Sequence, residues 1–247
     1  MLHIVEADWD APARIRALCT TRLGGVSQGN YRGLNLGAHV GDEPGHVERN
    51  RELLSETLDL PSAPRWLAQT HSTRVSRLDG SGRYDADADA AVTVVPDTVA
   101  VVMTADCLPV LFCNRRGGEV AAAHAGWRGL ADGILEATMM AMESAPGDLM
   151  AWIGPAIGQA HFEVGDEVRD RFVARQETAA SRFEASRPGH WLCDLAGLAH
   201  DILLERGVSS VHPSGLCCYQ DSERFYSYRR EKLTGRMASL IWISAGA

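Results

Sequence analysis

The strongest constraint on this chain is a set of short apolar runs: residues 14–20, 90–95, 99–104, 108–113, 120–123, 150–153 and 237–243. They are rich in Val, Ile and Ala and mostly bounded by Gly, Pro, Asp or Asn. Runs of this length, closed by turn residues, read as strands, most of them buried. None approaches the roughly 18 consecutive apolar residues of a membrane helix. Residues 44–58, 127–143, 165–175 and 194–206 read instead as helices. The first opens on Asp42-Glu43-Pro44, and the last opens at Asp194 and stops at Gly207. Strands outnumber helices and include hairpin patterns, so an α+β fold is expected rather than a strictly alternating parallel sheet. No solenoid-length repeat and no long linker is visible, and residues 1–247 are expected to form a single domain.

Composition narrows the partners. A hydrophobic content of 45% with 23% charged residues is that of a globular core. The net charge of -8 argues against nucleic acid, which calls for a basic surplus or stripe. Met1-Leu-His-Ile-Val-Glu has neither the basic segment nor the apolar run of a targeting peptide, so a cytoplasmic protein is expected. The six cysteines, Cys19, Cys107, Cys113, Cys193, Cys217 and Cys218, are expected as thiols.

Chemistry concentrates in Thr104-Ala-Asp-Cys107-Leu-Pro-Val-Leu-Phe-Cys113, which residues 114–118 separate from Glu119-Val-Ala-Ala-Ala-His124. The intervening residues are a turn signal, so the two runs form an antiparallel hairpin. Pairing Cys113 with Glu119 sets Leu108 opposite His124, and Cys107 and His124 become ladder neighbours with Cβ atoms on the order of 5 to 7 Å apart if they share a face. Such a thiol and imidazole suit two metal ligands or a nucleophile and base; the bland reading of Cys107 is a buried small hydrophobe. His71, in Gln69-Thr-His71, is distant in sequence, and spacing alone leaves it between a surface histidine and a third member. In the helix 44–58, Val47, Leu54 and Leu58 form an apolar stripe whose spacing brings Arg51 to the same inward face. That guanidinium requires an anion, either a carboxylate of the protein or a phosphate or substrate.

Other features are weaker. Residues 21–37 carry glycines at 25, 29, 33 and 37 and read as a structural loop or as one presenting Arg22 and backbone N–H groups to an anion. Asp85, Asp87 and Asp89 mimic the start of a calcium loop but lack its glycine and its glutamate, and read as a polar loop. Ser227-Tyr-Arg-Arg230 with Thr234-Gly-Arg236 reads as an anion site or a solvated loop. Trp127, Leu130, Ala131, Ile134 and Thr138 form a core stripe.

At Thr20-Thr-Arg-Leu-Gly-Gly-Val-Ser27, Leu34-Asn-Leu-Gly37, Gln69-Thr-His71, Thr104-Ala-Asp-Cys-Leu-Pro109, His124-Ala-Gly-Trp-Arg-Gly129, Ile153-Gly-Pro-Ala-Ile157, Phe162-Glu-Val-Gly165, Phe225-Tyr-Ser-Tyr-Arg-Arg230 and Thr234-Gly-Arg-Met237, the sequence resembles a known family. It is that of the laccase-domain or polyphenol-oxidase-type proteins, also called purine nucleoside phosphorylase or peptidoglycan editing factor proteins. Cys218 departs from the threonine usual there. The resemblance implies one domain of two packed mixed β-sheets flanked by helices. It also implies that His71, Cys107 and His124 are zinc ligands, an open three-ligand set of the catalytic type. The implied activities are phosphorolysis of adenosine, inosine and methylthioadenosine, and adenosine deamination. On that reading Arg51 and Arg229 are candidates for phosphate, Asn35 for substrate hydroxyls and Asp106 for proton transfer. The implied partners are thus a purine nucleoside and phosphate, with no membrane or nucleic acid, and a monomer is expected. Two alternatives stay open: a copper-dependent polyphenol oxidase, since His, Cys and His also suit copper, and a metal-free Cys–His hydrolase editing a peptidoglycan precursor.

Overall fold

The structure, a computed structural model, describes residues 2–246 of the chain. Its strands are β1 (Ile4–Glu6), β2 (Ile15–Thr20), β3 (Val75–Arg77), β4 (Ala90–Thr93), β5 (Ala100–Thr104), β6 (Leu108–Asn114), β7 (Val120–Ala125), β8 (Leu149–Ile153), β9 (Glu163–Gly165), β10 (Phe183–Arg187), β11 (His190–Cys193), β12 (Ser210–Pro213) and β13 (Met237–Ile243). The helices are α1 (Pro44–Thr57), α2 (Trp127–Asp132), α3 (Ile134–Ala141), α4 (Asp166–Arg175), α5 (Leu195–Glu205) and α6 (Tyr228–Glu231). No helix among the described residues is long and apolar enough to cross a membrane.

The strands form a four-stranded sheet in the order β1-β2-β13-β5, a six-stranded sheet β12-β8-β6-β7-β4-β3, and a small sheet β10-β11-β9. The first is antiparallel throughout. The second is mixed, with parallel pairs at both edges. The α+β class expected from the sequence is therefore what the chain adopts, with the small sheet added.

Alternation along the strands explains why the runs look continuously apolar. In β6, Val110 and Phe112 pack under the helices, while Leu111 and Cys113 face the other large sheet. In the four-stranded sheet, Ala100 and Val102 face inward and Val101 faces a separate layer with Leu54 of α1. Both large sheets are thus covered on both faces. Trp152, 1% exposed, is the largest side chain wedged between them. Trp152→Ala is expected to cost about 3–5 kcal/mol, read as a lower midpoint of denaturant unfolding.

Two sequence expectations change. The helix at 127–143 is broken by Gly133, whose φ of 100° ends α2 and starts α3. The hairpin register is shifted by one residue: Cys113 pairs with Val120 and Pro109 with His124. Asn114 stays in β6, its Oδ1 accepting from Gly118 N at 2.8 Å, so the turn is one residue tighter. By alternation Cys107, two residues before Pro109, then lies on the face of His124, which pairing Leu108 with His124 would have denied it.

Candidate metal centre and pocket

The site forms at one end of the six-stranded sheet. His124 lies near the end of β7, Cys107 immediately precedes β6, and His71 sits in the loop before β3. The loop is fixed by Gln69, whose side chain pairs with Met103 of β5 as a strand would: Nε2 donates to Met103 O at 2.8 Å and Oε1 accepts from Met103 N at 2.7 Å. Backbone strain concentrates here. His71 has φ 63° and Asp106 has φ 87°, conformations that non-glycine residues hold only when their surroundings impose them. Asp106 is tied down by Arg229 N, which donates to its Oδ2 at 2.6 Å, and by Ile157 N, which donates to its carbonyl at 3.0 Å.

The ligand atoms of His71, Cys107 and His124 lie within 4.8 Å of one another. A metal about 2.0–2.1 Å from a ring nitrogen and about 2.3 Å from a thiolate, at a tetrahedral angle, would hold the two about 3.5 Å apart. His71 Nε2 and Cys107 Sγ are 3.6 Å apart. His124 Nδ1 is bonded to Asp89 Oδ1 at 2.8 Å, which leaves Nε2 for a metal. The donor set therefore fits zinc or copper, and among the described residues it is the only such cluster. Burial alone would raise the Cys107 thiol, but the charge and hydrogen bonding of His124 and His71 outweigh it and bring it down to about 6. Burial alone would lower His124, but the Cys107 thiolate and Asp89 carry it to about 9. A thiolate facing an imidazolium is the arrangement that a metal ion replaces by displacing the proton.

Gly126, just after β7, closes the triangle from behind. A Cβ there would sit 2.5 Å from His71 Cδ2, 2.8 Å from His71 Nε2 and 3.0 Å from Cys107 Sγ.

The three ligands open onto a cavity of about 560 Å³, within the size range of small-molecule sites. Trp127, Phe162, Ile157, Leu195 and Met103 line its apolar side, and Arg128, Arg229, Lys232 and Arg236 make it cationic; His39 also lines it, its imidazole pushed down by burial and by the neighbouring arginines, and Asp106 is its one carboxylate. Several arginines elsewhere are neutralised, Arg22 by Glu231, Arg49 by Glu52, Arg182 by Asp201 and Arg187 by Glu163. None of the four pocket cations is paired with a carboxylate side chain among the described residues. Arg236 is the most enclosed. Burial pushes its guanidinium down, and Nη1 has only the carbonyls of Thr234 and Gly235, each at 3.0 Å. Asp106 Oδ1 is buried in the same wall without a partner, as is Thr104 Oγ1, and burial raises the Asp106 carboxyl.

The structure thus brings together His71, Cys107, His124, Asp106 and Arg229. Arg51 and Asn35 stand outside the pocket wall. Arg51 does turn inward, but its partners are the Leu36 carbonyl, at 3.1 Å from Nε and 2.8 Å from Nη2, and the Trp66 ring, 4.0 Å below. Asn35 is fully buried; its Oδ1 accepts from Arg236 N at 2.9 Å and Gly37 N at 3.0 Å, so it acts on the pocket only by holding the Arg236 segment. Arg22 is likewise spent on Glu231 and Ser222 O. Trp127, read as core, is half-buried in the pocket wall. Cys217 and Cys218 are free thiols. The polar-loop reading also missed Asp89: Asp85 and Asp87 are exposed, but Asp89 is buried against both histidines. The signal was its position directly before a buried apolar strand.

Known proteins resemble this chain along most of its length. Residues 16–244 match the family model described as multi-copper polyphenol oxidoreductase laccase. A protein of Pseudomonas aeruginosa named purine nucleoside phosphorylase is 52% identical over 96% of both chains. Purine nucleoside phosphorylase YfiH of Escherichia coli is 48% identical over 98% of this chain and 100% of its own. Among solved structures, Neisseria meningitidis protein NMB0706 superposes with a TM-score of 0.93 at 49% identity, covering 98% of this chain and 99% of that one. Geobacillus stearothermophilus YlmD gives 0.87 at 31% identity, over 94% and 93%. By the extent of the match and the identity of these relatives, the chain belongs to the multi-copper polyphenol oxidoreductase laccase family.

Proposed function

We propose that the protein is a zinc-dependent purine nucleoside phosphorylase acting on adenosine, inosine and methylthioadenosine, with adenosine deaminase activity. The observation that carries this reading is the juxtaposition of an open His-Cys-His set with unpaired cations in one nucleoside-sized pocket. His71 Nε2, Cys107 Sγ and His124 Nε2 would hold the zinc, which supplies a Lewis acid with a free coordination position when bound. The names of the relatives point the same way.

In phosphorolysis a phosphate oxygen bonds to C1′ of the ribose as the bond from C1′ to the base nitrogen breaks, and the departing base takes up a proton. Arg236 and Arg229, with Arg128 and Lys232 nearer the mouth, bind and orient phosphate. The apolar wall from Trp127 to Phe162 receives the purine and excludes water. Asp106 Oδ1, buried in the wall without a partner, is the atom assigned to hold and transfer the proton. In deamination, water replaces the C6 amino group and ammonia leaves. Arg51 and Asn35 act indirectly, by fixing the 34–37 segment.

Adenosine incubated with the zinc-loaded protein should yield adenine and ribose 1-phosphate only when phosphate is present, and inosine through deamination. The absence of both products would overturn the assignment. Arg236→Ala is expected to raise KM for phosphate by about 10–100-fold, the worth of a charge-assisted hydrogen bond, with Arg51→Ala leaving it near the original value. Copper oxidase chemistry remains the second reading because of the family description. A single ligand cluster among the described residues disfavours a multi-copper centre.

A further inference from the structure

Behind the ligand triangle lies Asp89, a fully buried carboxylate that is not part of the pocket wall. Its Oδ1 accepts from His124 Nδ1 at 2.8 Å and from His71 N at 3.0 Å. Its Oδ2 accepts from Ser72 N at 2.6 Å, Ser72 Oγ at 2.7 Å and Thr70 N at 3.2 Å. Its backbone carbonyl also accepts His124 N at 2.7 Å, and its own N–H donates to Arg74 O at 3.0 Å. One residue therefore holds the ring and backbone of one histidine and the backbone of another. Three successive amides, Thr70 to Ser72, converge on one carboxylate because His71 takes φ 63°, a concavity of the kind that binds anions.

We infer that Asp89 is the positioning residue of the metal centre, fixing His124 with its proton on Nδ1 and Nε2 toward the metal, and holding the strained turn that aims His71 Nε2 at Cys107 Sγ. Removing Asp89 would release both histidines at once, although it touches neither metal nor substrate. This rests on reading His71, Cys107 and His124 as metal ligands, which zinc binding by the unsubstituted protein tests separately.

The test is a zinc titration against a chromophoric chelator, with the melting temperature of each metal-free protein measured alongside. Asp89→Asn offers an amide NH₂ where one of the two acceptors stood, so it cannot satisfy both sides. Its zinc Kd is expected to rise by about 10–100-fold, as for other partners that orient metal ligands. Ser72→Ala, which deletes one donor to Oδ2, should weaken zinc in the same direction by less than about tenfold. A merely structural residue would lower the metal-free melting temperature and leave the zinc affinity of the folded variant unchanged, and that result would overturn the inference. If Asp89→Asn does not fold, ¹⁵N-histidine spectra of the zinc-loaded unsubstituted protein decide. A proton on His124 Nδ1 with none on Nε2 supports the inference, and the reverse overturns it. Failure of the unsubstituted protein to bind zinc would overturn the metal reading and, with it, this one.

Discussion

Cys107→Ala is expected to reduce phosphorolysis and deamination to background and to lower zinc affinity by more than about 100-fold, since losing even a residue that only orients a ligand costs about 10–100-fold. Two imidazoles remain, and they do not replace a thiolate whose charge the site is built to hold. The same residue separates the metal reading from a Cys–His hydrolase. A nucleophilic cysteine is alkylated and inactivated with a chelator present or absent, whereas a zinc-ligated thiolate is protected until the metal is stripped. Peptide mapping resolves the label cleanly. Burial pushes the thiols of Cys19, Cys113, Cys193 and Cys218 up, while Cys107 is brought down. Labelling of Cys107 at equal rates with and without zinc would contradict the metal reading.

Gly126→Ala is the second large effect, and it requires no change in any ligand. At φ -60° and ψ 157° the backbone there is ordinary for alanine, so nothing opposes the substitution except the side chain itself. The added carbon meets the His71 ring and the Cys107 sulfur together. His71 is held by the loop amides and cannot swing freely, and metal sites tolerate only about ±0.2 Å in ligand distances. Zinc affinity is expected to fall by about 100-fold or more while the circular dichroism spectrum is unchanged. Gly45→Ala, where an added Cβ meets nothing within 4 Å, should bind zinc normally. Equal zinc affinity in the two variants would show that the ligand triangle is not where the structure puts it.

What the sequence revealed and what it hid follow from the range of the interactions. The strands were legible because both large sheets are buried on both faces, which leaves uninterrupted apolar runs. The hairpin was legible from its turn, but its register depended on Asn114 extending the strand, a side-chain effect that composition does not carry. Cys107 and His124 were legible as a candidate pair from the hairpin, whereas His71 joined them only through the family resemblance, since only tertiary structure brings it to a hairpin far along the chain. Helical periodicity correctly turned Arg51 inward and gave it the wrong partner: a guanidinium can be satisfied by a carbonyl and an indole face as well as by an anion. Arg236, by contrast, sits in a polar loop without periodicity. Its importance emerges only when the fold leaves it enclosed in the same pocket as Cys107, with no salt-bridge partner among the described residues. The net charge of -8 describes the whole molecule and conceals this local reversal.

On the proposed function, one zinc ion held by His71, Cys107 and His124 enables nucleoside phosphorolysis. The most direct measurement strips the protein of metal, returns zinc in steps, and follows ribose 1-phosphate formed from adenosine and phosphate. Activity should rise linearly from background to a plateau at one zinc per chain. Full activity in the stripped protein, or none at any zinc level, would contradict the claim.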